Sequence, residues 1–310
     1  MTTILITGIG GDIAQAAAKI IREARPGYVL IGTDIHDHHC GGLFVDESHV
    51  LPAAANPGYA AYLDEILSRH SVDIVIPMTE PELSIISAST RPWCRPVQWI
   101  HAGAKAIAVG IDKLLTAQTL HGFGIEIPWT LPIAEAGPHA VPCIVKGRFG
   151  SGSRSVFVLR HLDDVPYFRR NMPDGIFQEL LEPADKEVTC AVFRTSEGEV
   201  LTLQLLRTLT GGLTGWAEVI DDTRVTELCR TVANKLDVSG CINIQLRITA
   251  YGPRIFEINP RISSTALMRH LLGFQDVVWA IDEAEGKRPS FRAVAPGRQV
   301  GRLYGAAVLH

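Results

Sequence analysis

The stretch IFEINPRISS, residues 255–264, sets Glu257, Asn259 and Arg261 on alternate positions and stops at Pro260. A strand points alternate side chains to one face, so a carboxylate, a carboxamide and a guanidinium would share a surface. Just upstream, CINIQLRITAYGP alternates Ile242, Ile244, Leu246 and Ile248 with Asn243, Gln245 and Arg247. A hairpin turning about Tyr251 sets Gln245 across from Glu257 and Asn243 across from Asn259, and sends Phe256 and Ile258 into the core with the isoleucines. Oxygen ligands of this kind suit Mg²⁺, which takes one or two protein carboxylates and completes its shell with substrate phosphates and water. One glutamate is a poor site for two divalent ions unless a triphosphate brings most of the negative charge. A solvated hairpin face would show the same alternation.

Two further stretches carry chemistry. In PCIVKGRFGSGSRSVFVL, residues 142–159, an apolar strand ends at Lys146, and Gly147, Gly150, Ser151, Gly152 and Ser153 follow before a second strand begins at Val156. Such a loop can lay backbone N–H groups over phosphates beside an ammonium group, or it can be a plain turn. It is not a P-loop: GxxxxGK[ST] is absent and strands, not a helix, flank it. In IFQELLEPADKEVTCAVF, residues 176–193, Glu179 lies in an apolar strand and Glu187 opens the next, placed to meet ribose hydroxyls or solvent.

The elements that must position these residues fall into two textures. Residues 3–7, 28–32 (ending at Asp34) and 72–77 read as buried strands, alternating with helical patterns over 13–21, 59–69 and 81–89. That order predicts a parallel sheet covered on both faces. A boundary is expected near Gly110. Asp112 then caps a helix over 113–121. Strands over 144–146, 176–181, 188–193, 200–206, 241–248 and 254–259, mostly joined by turns, predict antiparallel sheets.

With 310 residues, 46% hydrophobic and 20% charged, the chain has material for more than one domain. A formal net charge of -4 with mixed signs gives no polybasic face for nucleic acid or anionic lipid. Six cysteines without a CxxC pair read as reduced thiols. No basic leader and no apolar run of about 18 residues is present, so a cytoplasmic protein with small-molecule partners is expected.

Taken in order, Asp112-Lys113 opening a helix, Lys146 before the glycine-serine loop, QELL with KEVTCAV, and NIQLR with FEINPRIS resemble the ATP-grasp superfamily over residues 110–286. The likeness is greatest to a single synthetase unit of the carbamoyl-phosphate synthetase large subunit and to related stand-alone carboxylate-amine ligases. The resemblance implies an α/β plus α+β fold: an N-terminal open parallel sheet (1–110, pre-ATP-grasp and Rossmann-like), a linker helix with a small lid subdomain (111–180), and a large subdomain with the metal site (181–310). It implies ATP and two Mg²⁺ ions, for which Mn²⁺ can substitute. Lys113 and Lys146 would contact the phosphates under a lid containing Gly150, Ser151, Gly152 and Ser153. Backbone at Glu179, Leu180 and Leu181 would meet adenine, and Glu187 the ribose. Gln245, Glu257 and Asn259 would hold the ions, and Arg261 would face the transferred phosphoryl group. Arg207 is assigned to the acyl phosphate or the substrate carboxylate, against the alternative of a surface arginine. The implied reaction is ADP-forming amide bond formation between a carboxylate and an amine, with a homodimer compatible. The chain has one grasp unit and no segment like the bicarbonate-activating loop, so carbamoyl phosphate is not the expected product.

Rival readings attach to the N-terminal part. TGIGGDIA, residues 7–14, fits TGxxGxxA of extended NAD(P)-dependent dehydrogenases, with Asp34 at a ribose position, but no Tyr-x-x-x-Lys pair exists in the chain. Gly10, Gly11 and Asp34 are therefore assigned to substrate binding, together with Thr79, Glu80 and Glu82 at the end of the third strand. The last three could bind an amine or cap the helix at Pro81. The run from His36 to Cys40 could hold a metal or be a solvated loop. A non-catalytic ATP-binding protein is the third reading.

Overall fold

A computed structural model describes residues 1–89, 93–150 and 155–309. Its first part alternates strand and helix: β1 (Thr3–Thr7), α1 (Asp12–Ala24), β2 (Val29–Asp34), β3 (Glu47–Val50), α2 (Tyr59–Arg69), β4 (Ile74–Ile76), α3 (Glu80–Ala88), β5 (Gln98–Trp99) and α4 (Ala104–Ile111). The strands form one parallel sheet in the order β3-β2-β1-β4-β5. Ile4, Ile6 and Ile76 pack toward α1, while Leu5, Ile31 and Val75 pack toward α2. Burial on both faces explains why β1 and β4 are continuous apolar runs.

Gly110, the expected boundary, lies inside α4. A side chain there would meet Pro260, since a Cβ would sit 2.8 Å from Pro260 Cδ. Thus Pro260, which ends FEIN, docks on the backbone of α4, and the missing side chain permits it. The chain continues without a spacer: Asp112 closes α4 and caps α5 (Lys113–Gly122), its Oδ1 accepting from the N–H groups of Leu114 at 3.0 Å and Leu115 at 3.1 Å.

Then follow β6 (Thr130–Pro132), β7 (Cys143–Gly147), β8 (Val156–Leu159), α6 (Val165–Asn171) and β9 (Gly175–Glu179), an antiparallel four-stranded sheet ordered β6-β9-β7-β8. Its own small core joins Val145, Phe177 and Phe168. The remainder contains β10 (Glu187–Arg194), β11 (Val200–Thr210), β12 (Leu213–Ile220), α7 (Thr223–Lys235), β13 (Gly240–Thr249), β14 (Gly252–Asn259), α8 (Ala266–Leu272), α9 (Asp276–Ala284) and β15 (Gln299–Gly301). These strands make an antiparallel six-stranded sheet, β14-β13-β10-β11-β12-β15. One face packs with α7 and α4, the other with α9 and with α1 of the first sheet.

The hairpin register agrees with the expectation at the polar positions: Asn243 pairs Asn259 and Gln245 pairs Glu257. The turn does not. A two-residue turn joins Thr249 to Gly252, and the pairing then shifts between Gln245 and Leu246, which faces Ile255. Phe256 is the extra residue of this bulge. It is only partly buried, and Ile255 takes the core place expected for it. The turn centre and the bulge offset one another, leaving the polar pairs where alternation set them.

Candidate functional site

A cavity of about 940 Å³ opens between the four-stranded sheet, α5, the hairpin and the start of α1. Lys113, Lys146, Arg207 and Arg261 line it together with Gln245, Glu257 and Asn259. Four cations and three oxygen donors far apart in sequence thus surround one space.

Lys146 is the penultimate residue of β7, on the face opposite Val145, and it is 5% exposed. Its Nζ donates to the carbonyl of Phe256 at 3.2 Å and lies 5.6 Å from that residue's ring centroid. Phe256 is the bulged residue, so the break in the ladder presents its carbonyl to the lysine. Burial lowers the Lys146 ammonium to a pKa of about 8; Glu257 opposes the shift and Lys113 adds to it. Lys113, first residue of α5, donates to the Gly150 carbonyl at 2.5 Å and stands 3.7 Å from Glu257. Arg148 grips Asp112 with two hydrogen bonds, at 2.8 and 2.6 Å, while its carbonyl accepts from Lys113 N–H. Burial pulls the Asp112 carboxyl up, but Arg148 and the two helix N–H groups outweigh it and hold it below its usual range. The entry to the glycine-serine loop is therefore fastened to the helix that carries Lys113. Ser151, Gly152 and Ser153 lie outside the described residues, and Gly150 lines the cavity with φ +90.

The opposite wall is an arginine network. Arg207 donates to Glu187 at 2.7 Å, to Gln245 Oε1 at 2.8 Å and to Thr214 at 3.3 Å. Arg247 takes the other Glu187 oxygen at 2.6 Å and the Leu181 carbonyl at 2.6 Å. Arg207 is therefore no surface arginine, and Glu187 points into a fork of two guanidiniums rather than into open space. Glu179, Leu180, Leu181 and Glu187 do not line the cavity. The carboxylate of Glu179 is held by Arg254 at 3.1 Å. Arg261 is 9% exposed and reaches Glu80 at 3.2 Å, which joins the end of the hairpin to the first turn of α3.

Several residues assigned to substrate binding turn inward instead. Glu82 is 8% exposed, and its oxygens accept from Thr7 at 2.6 Å, Thr79 at 2.6 Å and Tyr59 at 2.9 Å. Thr79 caps α3 by accepting from Glu82 N–H, so for this pair the capping alternative describes the geometry. Asp34 accepts from the N–H groups of Gly10 at 2.8 Å and Ile35 at 2.7 Å. A Cβ on Gly10 would meet His39 and Asp34, so the glycine is required by the packing of its own loop. Gly10 and Gly11 do not line the cavity, whereas Asp12 and Ile13 after them do.

The cavity also includes residues the sequence reading left unassigned. Asn243 Oδ1 accepts from Thr189 at 3.0 Å and from Ser263 at 3.1 Å, and Ser263 accepts from the buried Arg269 at 3.1 Å. Arg269 is paired with Asp276 at 2.7 Å. Asn243 shares the alternation of Gln245, which was the available signal; Ser263, Ser264 and Thr265 had only their nearness to Arg261.

An N-terminal parallel sheet followed by a four-stranded and a six-stranded antiparallel sheet, with a cationic cavity between the latter two, is the ATP-grasp fold. Residues 171–304 match the family model described as ATP-grasp in the biosynthetic pathway with Ter operon. N5-carboxyaminoimidazole synthetase from Staphylococcus aureus, solved with ADP, superposes with a TM-score of 0.75 at 17% identity, covering 93% of this chain and 78% of that one. The L-amino acid ligase of Bacillus licheniformis gives 0.74 at 15% identity, covering 96% and 78%. The biotin carboxylase complex with β,γ-ATP from Campylobacter jejuni gives 0.69 at 17%, covering 93% and 72%. No curated protein matches the sequence. Among the described residues no helix is long and apolar enough to cross a membrane.

Proposed function

We propose that the chain is an ADP-forming ligase that activates a small-molecule carboxylate as an acyl phosphate and joins it to an amine. The observation that carries this reading is the convergence of Lys113, Lys146, Arg207 and Arg261 with Gln245, Glu257 and Asn259 on one cavity. A triphosphate needs cations at its oxygens, and an all-oxygen set of one carboxylate and two carboxamides suits Mg²⁺ bound together with phosphates. Gln245, Glu257 and Asn259 would hold two such ions, or Mn²⁺ in their place. When bound, Mg²⁺ neutralises charge on the phosphoryl group being transferred.

The chain's own residues do the rest. Lys113 and Lys146 hold the phosphates, and bound phosphates keep Lys146, whose proton burial has made easier to lose, in its ammonium form. The substrate carboxylate attacks the γ-phosphorus; an O–P bond forms, the bond to the bridging β,γ-oxygen breaks, and ADP leaves. Arg261 and Arg207 balance charge on the acyl phosphate. The amine then attacks the acyl carbon, phosphate leaves, and the surplus amine proton passes to solvent. Glu80, which does not line the cavity, holds Arg261 from behind at 3.2 Å. Superposition on an amino acid ligase and on ADP-bound synthetases supports this reading.

Incubation with ATP, Mg²⁺ and panels of carboxylates and amines tests it. ADP and phosphate should appear only with a carboxylate present, and hydroxylamine should trap a hydroxamate. Release of AMP and pyrophosphate would replace the acyl phosphate with an adenylate and overturn the mechanism.

A further inference from the structure

Among the described residues, two groups of side chains that could ligate a metal stand outside the cavity: Asp34 with His36 and His39, and Glu47 with His49 and His70. They differ in what their ligand atoms already do. In the first, both Asp34 oxygens accept backbone N–H bonds and His39 Nδ1 accepts from Gly41 N–H at 3.0 Å. Those atoms hold the loop.

In the second, His49 Nε2 lies 3.2 Å and His70 Nε2 lies 3.8 Å from one oxygen of Glu47. Both Nε2 atoms are buried and lack a hydrogen-bond partner. Buried imidazole nitrogens are ordinarily paired, so two orphans aimed at one carboxylate need an explanation. A tetrahedral ion with bonds of about 2.0–2.1 Å keeps its ligand atoms about 3.3 Å apart; the His49 spacing matches this, and the His70 imidazole, with the three ligand atoms within 4.8 Å of one another, would close in by about half an ångström.

We infer that Glu47, His49 and His70 form a binding site for one divalent cation of the zinc class, with water in the open position. The fold builds it from two elements. Glu47 and His49 are two apart on β3 and so share a face, and His70 is the cap residue that follows α2. The site lies at the edge of the sheet on β3, three strands across from β4, after which Thr79 and Glu80 stand. Two imidazoles and a carboxylate select Zn²⁺, Ni²⁺ or Co²⁺ over Mg²⁺, so this site does not compete for the ion of the phosphates. An ion there would pin β3, the edge strand of the parallel sheet, to α2.

Calorimetric titration of the untagged chain with Zn²⁺ alone, in excess Mg²⁺, tests the site. One Zn²⁺ should bind, and Co²⁺ in its place should show the intense visible absorption of a low-coordinate nitrogen-ligated ion. Glu47→Gln, at an exposed position that the fold tolerates, should weaken affinity at least about tenfold. The double substitution His49→Gln, His70→Gln should abolish the event while MgATP binding persists, and His36→Gln with His39→Gln should leave it intact. No Zn²⁺ binding by the parent chain, or binding that survives the His49 and His70 double substitution, overturns the inference.

Discussion

The end of the hairpin and the segment after β4 carry the same kinds of residue, and the fold uses them oppositely. On the hairpin, Glu257 and Asn259 line a cavity shared with a second sheet. At the strand end, Glu82 is enclosed by three hydroxyl groups, and in the neighbouring loop Asp34 is held by two N–H groups. A carboxylate at a strand end serves a ligand when what closes over it belongs to another sheet across a gap. It serves the fold when donors from its own sheet reach it first.

The largest effect expected from this contrast is on turnover. Glu257→Gln removes the one carboxylate of the oxygen set and should lower ATP turnover about a hundredfold or more. Its thermal midpoint should stay near the parent value, because the side chain packs no core. Near-parent turnover would shift the ion-binding face elsewhere in the cavity and erase the contrast.

Glu82→Ala should do the reverse. It strips the acceptor from Thr7, Tyr59 and Thr79 and should cost about 3 kcal/mol in urea unfolding, with activity per folded molecule kept. A large rise in KM at unchanged stability would restore Glu82 to substrate binding.

The smallest effect is a pH dependence. In the free chain Lys146 titrates at about 8 against 10.5 for the ordinary group. Between those values the unfolded chain holds more protons, so this residue's contribution to stability rises with pH through the window and is lowest beneath it. Bound phosphates favour the ammonium, so above about pH 8 ATP binding should take up a proton and weaken by up to about tenfold per pH unit. Calorimetry in buffers of different ionisation enthalpy measures the uptake. Lys146→Met should abolish it, weaken ATP and leave the fold at least as stable; persistence of the proton uptake would assign it to another group.

Much of this was legible beforehand. Helix α2 was expected over 59–69 and is Tyr59–Arg69, since its apolar positions recur at helical spacing and burial follows them. Asp112 caps α5 because a short side-chain acceptor ahead of a helix has nearby N–H groups to satisfy. By contrast β3, with two- and three-residue companions in β5 and β15, carries no apolar alternation and exists through a neighbouring strand's hydrogen bonds. Helices α7, α8 and α9 were not anticipated, although Asp222 caps α7 much as Asp112 caps α5.

Local pattern alone determined the two sheet classes, the lysine ahead of a glycine-serine loop, and the polar positions of Asn243, Gln245, Glu257 and Asn259 on two neighbouring strands, which the bulge then brought into pairs. Period and capping depend on residues a few positions apart, which the sequence displays directly. Direction was decided only in three dimensions. The Phe256 bulge brought a carbonyl to Lys146, Gly110 opened a place for Pro260, Arg261 met Glu80 across 181 positions of chain, and Glu187 was drawn between Arg207 and Arg247. Each depends on which distant surface arrives opposite a residue, and burial and electrostatics between remote segments leave no periodic trace in the sequence.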